Sequence, residues 1–500
     1  MIILASYADS IPSGKHSSLK ALRSFLHSWV PPRVALHLLP FYPSDGDDGF
    51  APSDWFSVNA DLGDWSDIAD LGNDRHLIVD GIYNHVGSSH QFVRDFFARP
   101  LESGGQLFTM KHVSLAEYPA APRGGSVMRP HIINGEKWYI WQTFTADAFD
   151  INLEDDEVVT AIKRHLQWLK RHNVWGVRLD APAYYGKEPG GRHRHSPKSI
   201  ALTRDMVARV RSFGLASITQ LDCEKRCITY FEDPHPKTDA IIDFSYPAQL
   251  AACLLERDPD IIVKHLKSTW NIGHNLIRYP RSHDGIYLRS DLTPPRVIES
   301  LIRAAACANF PVRVIDDRIY EINSSLPALL EVDTAKENVE ARIDLAVAIT
   351  SLASGWCYLY LPAVLGFSPE QLDLRFTDPR RLNRVPIPDA SLQNFARIGR
   401  LQRLKHMLDL LSSVKGKLAC KGDLAADAIH RIGAHGLCIR RERGRYTLVA
   451  NLHDQQELQL DDSALGESIF SQRYFRHGLG PLGFAIFTHD PNVRHIARPE

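Results

Sequence analysis

Eight short apolar runs, spaced too widely for a β-sandwich and separated by amphipathic stretches, constrain the fold of this chain more than any other feature. The clearest intervening helix is predicted over 158–171, where Val158, Ile162, Leu166 and Leu169 recur at helical spacing. Parallel strands that are buried on both faces form near-continuous apolar runs, and eight is the number in a closed (β/α)8 barrel. The runs cover 2–7, 34–42, 76–85, 174–180, 217–222, 240–246, 275–279 and 356–361.

Two intervals between these runs are too long for simple crossovers. They predict loop insertions after strands 3 and 7, which in a barrel build the mouth of the site. After about residue 416 the pattern changes to alternating strands at 437–441, 446–451 and 484–488. The predicted fold is α/β: a TIM barrel (1–85, 174–284 and 345–415), an insertion at 86–173 that ends in the helix before strand 4, a second insertion at 285–344, and a C-terminal antiparallel β-domain (416–500).

Composition excludes several classes of protein. With 58 Lys and Arg against 59 Asp and Glu, the formal charge of −1 gives no overall attraction to nucleic acid or to an anionic membrane. The seven scattered cysteines form no C-x-x-C pair, which favours a reduced, cytoplasmic location over a disulfide framework or a zinc site. No metal and no cofactor are predicted. The first residues are typical of a strand and not of a signal peptide. The oligomeric state is not determined by the sequence, and a homodimer is compatible with it.

Polar residues crowd the C-terminal ends of three predicted strands. Strand 3 leads into Asp-Gly-Ile-Tyr-Asn-His at 80–85, strand 4 into Gly-Val-Arg-Leu-Asp-Ala at 176–181, and strand 7 into Arg-Ser-His-Asp-Gly at 281–285. Because the C-terminal ends of barrel strands meet at one mouth, we expect residues about a hundred positions apart to face a single ligand.

These blocks, with Asp-Ile-Asn at 150–152, resemble the α-amylase family (glycoside hydrolase family 13) of retaining α-glucosidases and transglucosylases. Further stretches resemble its sucrose phosphorylase-like branch, which includes glucosylglycerate and glucosylglycerol phosphorylases. They are Leu-Pro-Phe-Tyr-Pro-Ser at 39–44, Asp-Asp-Gly-Phe at 47–50, Gly-Lys-Glu-Pro-Gly at 186–190, Tyr-Glu-Ile-Asn-Ser at 320–324 and Arg-Arg-Leu-Asn-Arg at 380–384. The resemblance extends from about residue 5 to 415.

The resemblance implies a set of catalytic roles. Asp180 matches the nucleophile, and Arg178, two residues earlier on the same strand face, is expected to keep it ionised. Asp284 matches the carboxylate that stabilises the oxocarbenium-like transition state, and His85 and His283 match histidines that bind glucosyl hydroxyls.

The resemblance also implies the walls of a closed glucosyl pocket, which favours single glucosyl units over polymers. Asp48 and Arg380 match a pair that closes its blind end, with Asp47 and Arg384 as the respective alternatives. Phe144 and the wall residue Tyr184 match aromatic side chains beside the glucosyl group.

The chain departs from the family pattern at strand 5. Gln220 stands where the family has its acid/base glutamate, and an amide has no proton to donate at neutral pH. Three explanations compete. The first is an engineered Glu→Gln substitution that traps a complex, and the second is a leaving group, such as phosphate or a phenol, that needs no protonation. In the third, Asp222 or Glu224 acts as the acid in place of the missing glutamate. In a variant of the third explanation, catalysis has been lost and the chain only binds sugar.

The acceptor side of the site departs from the family pattern as well. In sucrose phosphorylases an acidic residue of the fructose site precedes the position of Tyr320 by two places, and here that residue is Arg318. An anionic acceptor such as phosphate or a glycerate-like acid would suit the arginine better than fructose would.

The sequence therefore predicts a retaining α-glucosyl-transferring enzyme. Its favoured activity is reversible phosphorolysis of a small α-glucoside, with glucose 1-phosphate and inorganic phosphate as partners and without nucleic acid or membrane. The alternatives are an α-glucoside hydrolase or transglucosylase and, from another class, a catalytically silent sugar-binding relative.

Overall fold

Eight parallel strands form a closed barrel in the computed structural model of the chain. Around the barrel each strand neighbours the next in sequence, and β8 closes onto β1. The strands are β1 (Ile2–Ser6), β2 (Ala35–Leu38), β3 (Leu77–Gly81), β4 (Val174–Leu179), β5 (Ala216–Thr219), β6 (Ala240–Ile242), β7 (Asn275–Arg278) and β8 (Trp356–Tyr360). The structure describes residues 1–14, 16–102, 105–122, 124–188, 194–221, 230–231, 235, 237–270, 275–289, 293–315, 317–372, 374–418, 428–460, 465, 467–475 and 478–489.

The predicted fold class is confirmed, and each of the eight apolar runs coincides with one barrel strand, although β5 begins one residue before its run. Most strands are shorter than the runs, because apolar residues also continue into the buried turns beyond them. The run at 76–85 differs most: β3 ends at Gly81, and His85–Gly87 forms a separate antiparallel pair with Ala148–Asp150. A single apolar run therefore supplies both a barrel strand and the start of an insertion.

The described helices lie mainly between the barrel strands. The predicted helix at 158–171 begins two residues earlier, since Asp155 caps it by accepting hydrogen bonds from the N–H groups of Glu157 and Val158 at 3.0 and 3.1 Å. The helices are Ser18–Trp29, Trp65–Asp74, Gln91–Ala98, Asp156–Arg171, Pro197–Ser212, Tyr246–Glu256, Pro259–Thr269, Pro295–Ala308, Leu326–Glu331, Val339–Leu352, Leu361–Leu365, Asp389–Arg397 and Arg400–Lys417.

The chain divides into two compact units, and each contains small sheets besides its barrel strands. The first unit comprises Tyr7–Ser24 and Leu36–Ile242. Its insertion carries Thr109–Met110, Met128–Ile133 and Glu136–Trp141 in one antiparallel sheet, besides the pair His85–Gly87 and Ala148–Asp150.

The second unit comprises Met1–Ser6, Phe25–Ala35 and Asp243–Glu500. Its three-stranded sheet is built from Ile286–Tyr287, Val312–Ile315 and Arg318–Ile322, and its C-terminal antiparallel sheet from Ile429–Ile432, Gly436–Arg441, Tyr446–Asn451, Leu458–Gln459, Glu467–Phe475 and Gly478–Thr488. Within the described ranges, no helix has the length and apolar character needed to span a bilayer.

A buried histidine joins the segments that follow β2 and β3 to the helix Asp156–Arg171. His165 is fully buried and binds two tyrosine hydroxyls, that of Tyr83 at 2.9 Å from Nδ1 and that of Tyr42 at 3.3 Å from Nε2. Burial lowers the pKa of His165 to about 3, so the imidazole is neutral in the folded protein at physiological pH.

This histidine predicts a loss of stability in mild acid. The pKa of His165 is lower in the fold than the value of about 6.5 in the unfolded chain. The unfolded state therefore binds the extra proton as pH falls from about 6.5 toward 3, and the fold loses about 2–3 kcal/mol by pH 4.5. Urea unfolding at pH 7 and pH 4.5 should show a smaller pH effect in His165→Gln than in the wild type. His76→Gln, at an exposed histidine, should keep the wild-type effect, and an equal pH effect in His165→Gln would contradict the assignment.

Candidate active site

Asp180 lies one residue beyond β4, and its backbone N–H donates to the carbonyl of Gly81 at 3.1 Å. The residue is 8% exposed. Arg178, on the same face of the strand, places Nη1 3.3 Å from Oδ1 of Asp180. The structure therefore brings together the two residues that the sequence predicts as nucleophile and neighbouring cation.

Asp80 and His37 extend this ion pair across two more strands. Nη1 of Arg178 donates a short hydrogen bond to Oδ1 of Asp80, and Nε2 of His37 lies 3.1 Å from Oδ2 of the same carboxylate. His37 and Asp80 are each 1% exposed. A buried network running from β2 through β3 to β4 thus positions the arginine beside Asp180. Sequence reasoning did not single out these two residues, although each is a polar residue within an apolar run.

The loop that carries Asp48 has an unusual backbone. Asp47 and Asp48 both adopt left-handed conformations, with φ of 50° and 49°, and Gly49 follows with φ of 100°. A Cβ at Gly49 would lie 2.8 Å from Cβ of Pro40, so only glycine fits there. Two successive non-glycine residues in this region are costly, and such strain is concentrated at functional sites. This geometry supports a functional role for the turn without choosing between the two aspartates.

His85, Phe144 and Tyr184 form a continuous aromatic wall in the first unit. Ring centroids are 5.2 Å apart between His85 and Phe144, and 5.3 Å apart between Phe144 and Tyr184. Nε2 of His85 donates to the carbonyl of Phe50 at 2.7 Å, and its Nδ1 lies 3.2 Å from Nδ2 of Asn84. Burial lowers the pKa of His85 and favours the neutral ring. Both ring nitrogens therefore have protein partners, and the ring itself contributes to the wall.

Gln220 follows β5 directly. Its backbone N–H donates to the carbonyl of Leu179 at 3.3 Å, which continues the ladder between β4 and β5. Its side-chain Oε1 accepts a hydrogen bond from the N–H of Ala181 at 3.3 Å. The alternative acids Asp222 and Glu224 lie outside the described residues.

A buried ammonium group joins the insertion to the chain that follows Asp180. Lys187 is 3% exposed, and its Nζ lies 2.6 Å from Oδ1 of Asn84 and 3.0 Å from Oδ2 of Asp150. Burial lowers the pKa of Lys187, and the carboxylate of Asp150 opposes that change. Thr143 also donates to Asp150, from its backbone N–H at 2.8 Å and from its hydroxyl at 2.6 Å. Three blocks quoted for the family resemblance thus meet in one hydrogen-bonded cluster.

In the second unit, Asp284 is surrounded by basic side chains. Nη2 of Arg384 donates to Oδ1 of Asp284 at 3.0 Å, whereas Nη1 of Arg380 is 3.9 Å from that oxygen. Nε2 of His283 lies 3.7 Å from Oδ2. Arg281 donates to the backbone carbonyl of Asp284 and to that of Ser324, which fixes the turn. Of the two arginines named from the sequence, Arg384 is the one that donates a hydrogen bond to this carboxylate, and the role of either at the blind end of the pocket stays a prediction.

Arg380 is held by a buried glutamate. Its Nε lies 2.9 and 3.1 Å from the two carboxylate oxygens of Glu321, and its Nη2 donates to the hydroxyl of Tyr287 at 2.9 Å. Burial acts to lower the pKa of Arg380, but the carboxylate of Glu321 raises it overall. A Cβ at Gly285 would lie 2.2 Å from Oε1 of Glu321, which explains the glycine after Asp284.

The two predicted acceptor-side residues lie on one strand of the second insertion. Arg318 and Tyr320 belong to the strand Arg318–Ile322, and Arg318 is exposed. The ring of Tyr320 packs edge-on against Tyr287, with centroids 5.6 Å apart. Arg318 thus lies at the surface, two residues before Tyr320, whose ring packs against the tyrosine that binds Arg380.

The chain resembles known proteins in sequence and in fold. Residues 33–222 match the family model described as alpha-amylase, catalytic domain. The structure also resembles that of sucrose 6F-phosphate phosphorylase from Thermoanaerobacter thermosaccharolyticum, with a TM-score of 0.76 and 19% identity over 90% of this chain and 93% of that one.

Two curated relatives are phosphorylases of small α-glucosides. Glucosylglycerate phosphorylase of Escherichia coli (strain K12) is 27% identical over 383 residues, which cover 73% of this chain and 68% of the relative. Sucrose phosphorylase of Streptococcus mutans serotype c is 30% identical over 279 residues, covering 53% of this chain and 56% of the relative.

The fold and these matches define the class of protein. The chain is an enzyme related in sequence to glucoside phosphorylases, and its resemblance to the α-amylase family and the sucrose phosphorylase-like branch is confirmed.

The buried pair Asp80–Arg178 predicts a large loss of stability when one partner is removed. Asp80→Asn should leave Arg178 under-compensated and lower the free energy of unfolding by about 3–5 kcal/mol. Asp70→Asn breaks an exposed pair with Arg23 and should cost less than about 1 kcal/mol. Urea denaturation of both variants measures the difference, and equal losses would show that burial does not govern the pair.

Arg380 and Arg381 provide a similar comparison in the second unit. Arg380→Met leaves the fully buried Glu321 without its main partner and should destabilise the fold by about 3–5 kcal/mol. Arg381→Met changes the exposed neighbour and should cost less than about 1 kcal/mol. Thermal and urea unfolding distinguish the two, and an unaffected Arg380→Met variant would contradict the structural role of this arginine.

Proposed function

We propose that this protein transfers α-glucosyl units with retention of configuration, through a covalent glucosyl ester of Asp180. The favoured activity is reversible phosphorolysis of a small α-glucosyl compound to glucose 1-phosphate, with an acceptor other than fructose. The observation that carries the proposal is the buried carboxylate of Asp180 at the end of β4, whose Oδ1 lies 3.3 Å from Nη1 of Arg178. Phosphorylases among the relatives support phosphate as the partner.

In this mechanism Asp180 attacks the anomeric carbon and displaces the leaving group. Asp284 stabilises the positive charge that develops on the sugar, and Arg384 orients its carboxylate. Both steps are nucleophilic displacements and need no cofactor. The residues proposed to contact the glucosyl group are Asp48, His85, Phe144, Tyr184, His283 and Arg380, and those proposed for the acceptor side are Arg318 and Tyr320.

Gln220 favours one alternative, a catalytically silent sugar-binding protein. An amide cannot protonate an alkoxide leaving group, and that help is typically worth about 10²–10⁴-fold. A silent protein would bind glucose or glucose 1-phosphate without turnover.

The cytoplasmic location and the homodimer stay predictions.

Substitution of the nucleophile tests the proposal. The protein is incubated with glucose 1-phosphate and acceptors, and with small α-glucosides in the presence and absence of phosphate, while phosphate or glucose 1-phosphate is measured. Asp180→Asn should lower turnover by about 10³-fold or more, because no glucosyl ester can form. Asp205→Asn, at an exposed aspartate, should match the wild type.

Each other outcome has a defined meaning. Turnover that is independent of phosphate would indicate a hydrolase. Absence of turnover in both the wild type and Gln220→Glu, together with calorimetric binding of glucose, would establish the sugar-binding alternative and overturn the proposal.

A further inference from the structure

The strand register places Gln220 beside the proposed nucleophile. Leu179 of β4 is the register partner of Thr219 of β5, so the next residues, Asp180 and Gln220, are neighbours on adjacent parallel strands. Adjacent strands are about 4.8 Å apart, and the preceding same-face residues Arg178 and Ile218 are also register partners. Since side chains two residues apart share a face, the side chains of Asp180 and Gln220 project to the same face of the sheet. Gln220 can therefore contact the group that Asp180 displaces.

The side-chain amide of Gln220 has a defined orientation. The N–H of Ala181 is a donor, so the atom that receives it at 3.3 Å must be the oxygen Oε1. The NH₂ group is then directed away from Ala181, and within the described part of the chain no residue accepts a hydrogen bond from it. The NH₂ end of this side chain offers two N–H donors and neither an acidic proton nor a base.

We propose that this site exchanges the glucosyl unit between oxyanions, phosphate and carboxylates, with the NH₂ group of Gln220 as a hydrogen-bond donor to the departing or incoming oxygen. The inference rests on the proposed function and narrows it. The acceptor class becomes anions that are already deprotonated at neutral pH, and alcohols and sugar hydroxyls are excluded.

The two steps balance without a proton from the enzyme. In the first, Asp180 forms a bond to C1 of the glucose 1-phosphate monoanion, the C1–O bond breaks, and HPO₄²⁻ leaves with the electron pair and the ester's own proton. In the second, an oxygen of HPO₄²⁻ or of a carboxylate attacks C1 and the bond to Asp180 breaks. An alcohol would have to lose a proton as it attacks, and a glycosidic oxygen would have to gain one as it leaves. Gln220 can do neither.

The pH dependence follows from the same balance. The second pKa of a phosphate monoester is about 6, so the reactive monoanion becomes scarcer as pH rises above that value. Turnover of glucose 1-phosphate should therefore fall about tenfold per pH unit above pH 7, because the proton comes from the substrate. An enzyme with its own acid would keep its rate until that acid ionised.

Isotope exchange tests the inference directly. Labelled inorganic phosphate is incubated with the enzyme and glucose 1-phosphate, and its entry into glucose 1-phosphate is measured between pH 5.5 and 8.5. We expect exchange in the wild type, glucosyl transfer to formate or azide, and transfer to glycerol at least 10²-fold slower than exchange. Gln220→Glu should raise transfer to glycerol by about 10²–10⁴-fold. Gln220→Met, which keeps the side-chain length but removes the donor, should lower exchange about tenfold or more.

The outcomes separate this inference from the proposed function. Rapid transfer to glycerol by the wild type with a bell-shaped pH profile, lost in Asp222→Asn or Glu224→Gln, would overturn the inference and leave glucosyl transfer standing. Unchanged exchange in a folded Gln220→Met variant would overturn the role of the amide. No exchange and no transfer in either the wild type or Gln220→Glu would overturn the proposed function itself.

Discussion

The ion pair between Asp80 and Arg178 determines the geometry at the end of β4. Asp80 is almost completely buried, and a carboxylate there is tolerated only because His37 binds one oxygen and Arg178 the other. The guanidinium is thereby fixed between two strands, and its Nη1 also lies 3.3 Å from Oδ1 of Asp180. The placement of the proposed nucleophile thus depends on side chains from three successive barrel strands, which are joined by backbone hydrogen bonds.

The requirement that a buried charge be paired with an opposite charge also organises the loops beyond the strands. Two strongly buried charges there are each matched by an opposite charge from another segment: Lys187 by Asp150 in the first unit, and Glu321 by Arg380 in the second. Such pairs add little net stability over an apolar core, but breaking one is costly, so they select a single arrangement of the loops. Glucosyl transfer benefits from this rigidity, since polar groups fixed in advance need not reorganise as charge develops.

Local patterns explain what could be predicted from the sequence. The barrel follows from the apolar runs, and the contact of Arg178 with Asp180 follows from the two-residue period of a strand. Contacts that depend on register or on tautomer could not be found this way. His37 meets Asp80 only because β2 and β3 pair in one register, and His85 uses both ring nitrogens within the protein. The hydrogen bond from Arg384 to Asp284 likewise depends on the fold of the turn Pro379–Arg384, which the sequence pattern does not specify.

In the proposed mechanism, the neutral side chain of Gln220 redirects the chemistry of the site. An amide has nearly the shape of a carboxyl group, so the hydrogen bond from Ala181 would serve a glutamate equally well. The charge differs, however. A glutamate beside Asp180 would repel an incoming phosphate or carboxylate whenever it was ionised, whereas the amide presents N–H donors to the same anion. Loss of the acid therefore removes help for alcohols and, at the same position, removes an obstacle for anions.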